Sequence, residues 1–330
     1  KTDFWDARLN YSYSEDEINY TPSWNMLYWT EQENIDFFSN LLLNDSSTLQ
    51  FVLGYSTSRF FREGNFLNSW EQTYAGIGFR QEITKDTAVD VNVRFGDYSD
   101  FKSTETYDLK FRTSISENLS FYGKFATGFA PPGALDLYSY GIGYPGNPDL
   151  LAEESRNYEL GFSLMDKSLR HALKMSVFFT EYKNLINAPW GVIPENIGES
   201  ESLGIEVSFQ NQISESLSIV PSISYVRSKD LDSNNDFLPK RPEFFGCITA
   251  TYRIKAVNLG TQMNFKNNTR ENASNENDDY MIFRLFGNYE ISDDLIFNAR
   301  IENLFDEKYE EVIGYPALGR AIHAGLSFSF

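Results

Sequence analysis

Cysteine and histidine are almost missing from this 330-residue chain, which holds only Cys247, His171 and His323. One thiol excludes an intramolecular disulfide and any cysteine-built metal centre. Two histidines leave a histidine-based metal or nucleophilic site poorly supplied, and both read better as wall residues of strands than as ligands. Basic charge is also scarce: 28 Lys and Arg stand against 47 Asp and Glu, a net charge of −19. Nucleic acid is thereby excluded as a partner, because phosphate binding needs a basic surface. No run approaches the roughly 18 apolar residues of a membrane-spanning helix, and the mean hydropathy is −0.41. Helix-period segments, Gly-Ser linkers and low-complexity tracts are absent too, so the chain reads as one domain, residues 1–330.

What the chain has in abundance is aromatic residues and period-two alternation. It carries 28 Phe, 20 Tyr and 5 Trp. At the C-terminus Ile322, Ala324, Leu326, Phe328 and Phe330 alternate with Ala321, His323, Gly325, Ser327 and Ser329. That is a strand with one greasy and one wet face. Val89, Val91, Val93 and Phe95 alternate in the same way with Asp90, Asn92, Arg94 and Gly96. So do Tyr107, Leu109 and Phe111 with Asp108, Lys110 and Arg112, and Leu295, Phe297, Ala299 and Ile301 with Asn298, Arg300 and Glu302. Pro221 falls inside one such segment, where a local distortion can hold it.

The connections separate two ways of using this pattern. Short polar turns lie at 44–47, 85–87, 116–118, 166–168, 214–216, around Lys255 and at 292–294. Longer connections lie between them, roughly at 14–32, 62–71, 99–103, 129–154, 183–200, 228–241, 268–279 and 306–319. Strict alternation of short and long predicts sixteen antiparallel strands with all long loops at one end. A transmembrane β-barrel is built so, with apolar residues turned to lipid and polar ones to the lumen. A soluble sandwich has no reason to keep its long loops together. The wet face then carries Arg94, Asp108, Lys110, Arg112, Lys124, Glu206, Arg300 and Glu302 toward the lumen.

Two longer motifs carry a family resemblance. The first is Thr127-Gly128-Phe129-Ala130-Pro131-Pro132, then Leu135-Asp136-Leu137-Tyr138, Gly146-Asn147-Pro148-Asp149-Leu150, Glu153-Glu154-Ser155 and Tyr158-Glu159-Leu160-Gly161. The second is Asn303-Leu304-Phe305-Asp306 with Tyr309, Gly314-Tyr315-Pro316 and Gly319-Arg320, ending at Phe330. In this order they resemble the mid-barrel and C-terminal signatures of TonB-dependent outer-membrane receptors, cobalamin and catecholate-siderophore receptors above all. Ala130 replaces the family's usual Arg. His323, Gly325, Phe328 and Phe330 resemble the terminal signal read by the barrel-assembly machinery.

The resemblance implies an all-β fold in the outer membrane of a Gram-negative cell. It implies uptake of a scarce metal chelate, cobalamin or a ferric siderophore, rather than enzymatic turnover. A complete sixteen-stranded passive porin is the alternative that strand number alone allows. The family barrel has about 22 strands around a plug, so the resemblance makes this chain the C-terminal part of a barrel. The first strands, the plug and the segment that meets the TonB energy complex would lie before Lys1. No signal peptide precedes the first strand pattern either, which agrees with a removed leader or a C-terminal portion.

The resemblance implies ligand recognition by the extracellular loops and the outward face of the plug, for which the loops here offer Trp24, Tyr138, Tyr140, Tyr144 and Trp190. An interfacial aromatic girdle or packing within a loop is the simpler reading of each one singly. Flat rings can stack on a chelate or a corrin without requiring charge. Asp230-Leu231-Asp232-Ser233-Asn234-Asn235-Asp236 spaces oxygen atoms as the start of a calcium loop does. It lacks the Gly and the bidentate Glu of an EF-hand, so a solvated acidic loop is the simpler reading. No other cofactor is expected.

Overall fold

The computed structural model describes residues 4–20, 26–100, 102–138, 145–188, 191–232, 237–272 and 274–329. Sixteen strands form one sheet in sequential order, β1 through β15 and then β18. They are β1 (Trp5–Tyr20), β2 (Met26–Asn44), β3 (Ser47–Arg62), β4 (Asn65–Thr84), β5 (Thr87–Tyr98), β6 (Thr104–Ser114), β7 (Leu119–Ala130) and β8 (Glu153–Met165). The series continues with β9 (His171–Asn187), β10 (Glu195–Gln212), β11 (Leu217–Asp230), β12 (Phe244–Ile254), β13 (Val257–Asn267), β14 (Tyr280–Ser292), β15 (Leu295–Glu302) and β18 (Ala321–Phe328). A small hairpin of β16 (Glu310–Val312) and β17 (Tyr315–Pro316) sits in the last long connection. The ladder expected from the alternation is therefore present, and its fold class is all-β and antiparallel.

Two compact units divide the chain. The first comprises residues 1–113, 122–158 and 180–200, and the second 114–121, 159–179 and 201–330.

In the first unit the strands outrun the sequence pattern. Pairing of β1 with β2 runs without a break from Trp5↔Leu41 to Tyr20↔Met26, across residues expected in a long loop. Likewise β3 and β4 close through a two-residue turn, Glu63-Gly64, at Arg62↔Asn65 rather than through a loop at 62–71. Both turn residues have positive φ, 49° and 82°, as a type I′ hairpin requires. The reason for the discrepancy is solvent. A transmembrane strand needs only about 9–11 residues, whereas β4 has 20. Beyond the apolar band both faces meet water, so backbone pairing persists while the period-two signal disappears.

Amphipathy within this unit is inverted relative to a soluble core. Along β6, Tyr107, Leu109 and Phe111 are exposed while Asp108 and Lys110 between them are half-buried. Leu9 of β1 is 70% exposed, whereas Ser39, Ser56 and Ser58 are buried. A helix interrupts the all-strand expectation: α1 (Ala134–Leu137), one turn long, starts at Gly133 and buries Leu137.

The second unit repeats the inversion. Leu160 of β8 is 71% exposed, as are Leu259, Leu285, Phe297 and Leu326 to lesser degrees, while Ser176, Ser202, Ser224 and Ser228 are buried. The terminal strand β18 pairs with β15 from Glu302↔Ala321 to Leu295↔Phe328, which sets His323 opposite Arg300 and Gly325 opposite Asn298. Phe330 lies outside the described residues. At the short turn before β9, the Asp166 carboxylate accepts from Ser168 Oγ at 2.6 Å and from the backbone N–H groups of Arg170 and His171. These hydrogen bonds hold the Asp166 carboxyl below its ordinary range, the Ser168 hydroxyl contributing most.

Candidate functional site

Both sequence motifs build long connections, the first together with the end of β7 and the start of β8. In the first unit, the connection from β7 to β8 folds on α1 and is pinned by amides. Asn147 Nδ2 donates to the Pro194 carbonyl at 2.8 Å, and its Oδ1 accepts from the Asp149 N–H. Asn196 at the start of β10 clasps the same loop, donating to Leu151 O at 2.9 Å and accepting from Leu151 N at 2.8 Å. Its amide nitrogen also reaches Asn184 O at 2.7 Å. Glu153 Oε1 accepts from the Ile186 N–H. Pro132 and Pro194 are fully buried, and Leu137 and Leu150 nearly so. The Gly-Asn-Pro-Asp-Leu run thus joins two long connections into one packed body, with buried backbone groups satisfied by side-chain amides.

In the second unit, Asn303 and Asp306 close the connection after β15. Both take positive φ, 47° and 59°, which Asn and Asp tolerate better than most residues. Asn303 is buried; its Nδ2 donates to the Glu307 and Leu318 carbonyls, and its Oδ1 accepts from Glu307 N. Asp306 Oδ1 accepts from the Arg320 N–H at 2.8 Å. A Cβ on Gly319 would approach that same oxygen to 2.7 Å, which accounts for glycine before Arg320. Phe305 packs edge-on against Phe283 with centroids 5.2 Å apart.

Of the aromatic residues expected to meet a ligand, Tyr138 alone lies among the described residues. It caps α1, and its hydroxyl receives a hydrogen bond from the Asn68 amide of β4. Burial pushes the Tyr138 hydroxyl above its ordinary value. Trp24, Tyr140, Tyr144 and Trp190 lie outside the described residues. The same holds for residues 233–236 of the acidic loop, in which Asp230 accepts from the Asp232 N–H.

Polar wall residues form networks that alternation alone could not pair. In the first unit the Tyr74 hydroxyl donates to Asp36, and the Arg94 guanidinium stands 3.9 Å over the Tyr74 ring. That ring lies across Gly54, where a Cβ would collide with it. Asn92 donates to Asp108 at 3.0 Å, and Lys124 lies 3.8 Å from the same carboxylate. Lys110 faces the Tyr122 ring. In the second unit Glu302 is gripped by Arg284 at 3.2 Å and Arg300 at 2.9 Å. A cavity of ≈ 540 Å³ beside this cluster is lined by His323, Asn288 and Asn298, among others. Asn68, Asp36 and Arg284 were not singled out by the sequence, because each acts through a partner on another strand.

Comparison with known proteins agrees with this architecture. The model of the family described as "TonB dependent receptor-like, beta-barrel" matches residues 1–304. The vitamin B12 transporter BtuB of Photobacterium profundum is 26% identical over 250 residues, covering 72% of this chain and 40% of that protein. The ferric-pyoverdine 358 receptor of Pseudomonas putida is 23% identical, covering 59% of this chain and 25% of that protein. Among solved structures, the ferric yersiniabactin uptake receptor FyuA of Yersinia pestis superposes with a TM-score of 0.82 at 15% identity. The match covers 100% of this chain and 60% of that one. This chain therefore spans less than half the length of the two curated relatives. With the family model covering most of its length, the chain belongs to the TonB-dependent receptor β-barrel family, a family of outer-membrane transport receptors rather than enzymes.

Proposed function

We propose that this chain supplies barrel strands and loops to a receptor that takes up a scarce metal chelate, cobalamin or a ferric siderophore, across the outer membrane. The family match over residues 1–304 carries the reading. The names of the relatives supply the ligand class, since one is a vitamin B12 transporter and another a ferric-pyoverdine receptor. The apolar face of each strand meets lipid, and the polar face lines the lumen. The long-loop end faces the medium and the short turns face the periplasm.

In this reading Arg94, Asp108, Lys124, Arg284, Arg300 and Glu302 offer charge-assisted hydrogen bonds to a plug, through which the TonB complex acts. Such contacts hold firmly when water is excluded and can still be exchanged. Tyr138 and the loop aromatics Trp24, Tyr140, Tyr144 and Trp190 supply stacking surface to the chelate. Asp230 and Asp232 offer oxygen to a calcium ion only if residues 233–236 complete the set.

The test is uptake by cells lacking the encoding gene, complemented in trans and supplied with labelled cobalamin or labelled ferric siderophore. Uptake of one ligand that vanishes when the inner-membrane energy complex is deleted supports the receptor. Uptake that persists without the complex marks a passive channel and overturns it.

A further inference from the structure

Charge in the second unit is balanced differently on the strands and in the long connections. On the strands, Glu302 is met by Arg284 and Arg300. The connections after β11, β13 and β15, residues 231–243, 268–279 and 303–320, hold eleven Asp and Glu against five Lys and Arg. Two of those cations are engaged locally, Lys240 on Glu271 at 3.1 Å and Arg270 on Glu276 at 3.4 Å.

Uncharged donors hold five of the other carboxylates. Asp279 accepts from the Asn268 N–H at 2.8 Å, Asp306 from the Arg320 N–H at 2.8 Å and Glu310 from the Gly314 N–H at 2.6 Å. Glu243 accepts from the Asn268 side-chain amide, and Glu311 from the Tyr280 hydroxyl at 2.9 Å. Such donors satisfy the lone pairs and favour the ionised form, but they leave its charge uncancelled. Asn277 Nδ2 ties the connections together, donating to Glu271 at 3.1 Å and to the Glu311 carbonyl at 2.9 Å. Its Oδ1 is buried and finds no donor among the described residues, which adds the negative end of an amide dipole.

Beside Glu311 the Tyr280 and Tyr309 rings pack with centroids 4.1 Å apart, and Lys266 Nζ stands 5.4 Å from the Tyr280 centroid. Ring faces next to a carboxylate suit a neutral or cationic group and disfavour an anion. Uncancelled charges of one sign sum into a field that steers ligands before contact. Metal chelates divide on this property. A hydroxamate brings a single negative charge, so a ferric tris-hydroxamate is neutral, and a free amine on it makes a cation. Catecholates bind doubly deprotonated, so a ferric tris-catecholate is a multiply charged anion. Cyanocobalamin is neutral as a whole.

We infer that the receptor admits metal chelates without net negative charge, a ferric hydroxamate or a neutral corrinoid, and that the connections after β11, β13 and β15 repel ferric tris-catecholates. This rests on the uptake reading and narrows its ligand class. Stopped-flow quenching of tryptophan fluorescence, on the whole receptor in lipid nanodiscs, gives association rates for four probes. They are a neutral ferric tris-hydroxamate, one bearing a free amine, a ferric tris-catecholate and cyanocobalamin. At low salt the tris-catecholate is expected to associate about 10- to 1,000-fold more slowly than the fastest of the others. The gap is expected to narrow as salt rises. Asp278→Lys combined with Glu307→Lys, two exposed positions, is expected to narrow it as well. Asp293→Lys combined with Asp294→Lys makes the same charge change at a short turn and is expected to leave it as it was. A tris-catecholate that associates as fast as the other probes overturns the inference. So does a gap indifferent both to salt and to the changes at Asp278 and Glu307. Failure of all four probes to bind instead defeats the uptake reading beneath it.

Discussion

Single residues decide how the connections close. Asn303 satisfies two carbonyls and one N–H at once, so Asn303→Ala strands three backbone groups. The expected loss is about 1–3 kcal/mol, read as a lower urea midpoint for the protein refolded in lipid vesicles. Asp166 makes a pH prediction. Its folded pKa is depressed by the Ser168 hydroxyl and the Arg170 and His171 amides. Stability from that turn is therefore full above the unfolded carboxyl value, about 3.9, and fades as pH falls through the lower folded value. Amide exchange at Arg170 and His171, corrected for intrinsic rates, should accelerate in that acid window. Asp166→Asn should remove the pH dependence; a wild-type turn indifferent to acid contradicts the account.

Elements are governed by register and by paired loops. The Tyr74 ring can lie over Gly54 only because that position has no Cβ. Gly54→Val is expected to displace the ring and break its bond to Asp36 together with the Arg94 contact. Removal of a cation–π contact alone accounts for about 0.5–2 kcal/mol, and the displaced ring adds to it. Reduced stability in the same vesicle assay, with Tyr74→Ala largely masking the effect, is the expected pattern. Asn196 joins the connection before β8 to the one before β10. Asn196→Ala should raise amide exchange in both connections together, whereas a change confined to one shows that they move independently. Neither pairing is visible in one strand's alternation, because each bond spans many residues of sequence.

For the whole molecule the governing variable is the solvent outside the strands. Leu160 is exposed on the apolar face of β8, and Leu160→Arg is expected to destabilise the folded protein in vesicles by about 2–4 kcal/mol if it lies near the bilayer midplane. The same change on a surface bathed in water would be nearly neutral, so the measurement reads directly which solvent that face meets.

Alternation, read with the strict succession of short and long connections, was enough to predict the all-β architecture and the sixteen-strand ladder, because a period of two is a local property of the chain. The Asn-Leu-Phe-Asp and Gly-Asn-Pro-Asp-Leu runs were enough to suggest the family. Where β1 to β4 end was not legible, since strands that leave the bilayer lose the apolar signal while keeping their hydrogen bonds. The roles of Asn147, Asn196 and Asn303 as loop clasps emerged only in three dimensions, as did the Asp36–Tyr74–Arg94 and Arg284–Glu302–Arg300 groupings. Those depend on which strands become neighbours and in what register, and no single segment of sequence carries that information.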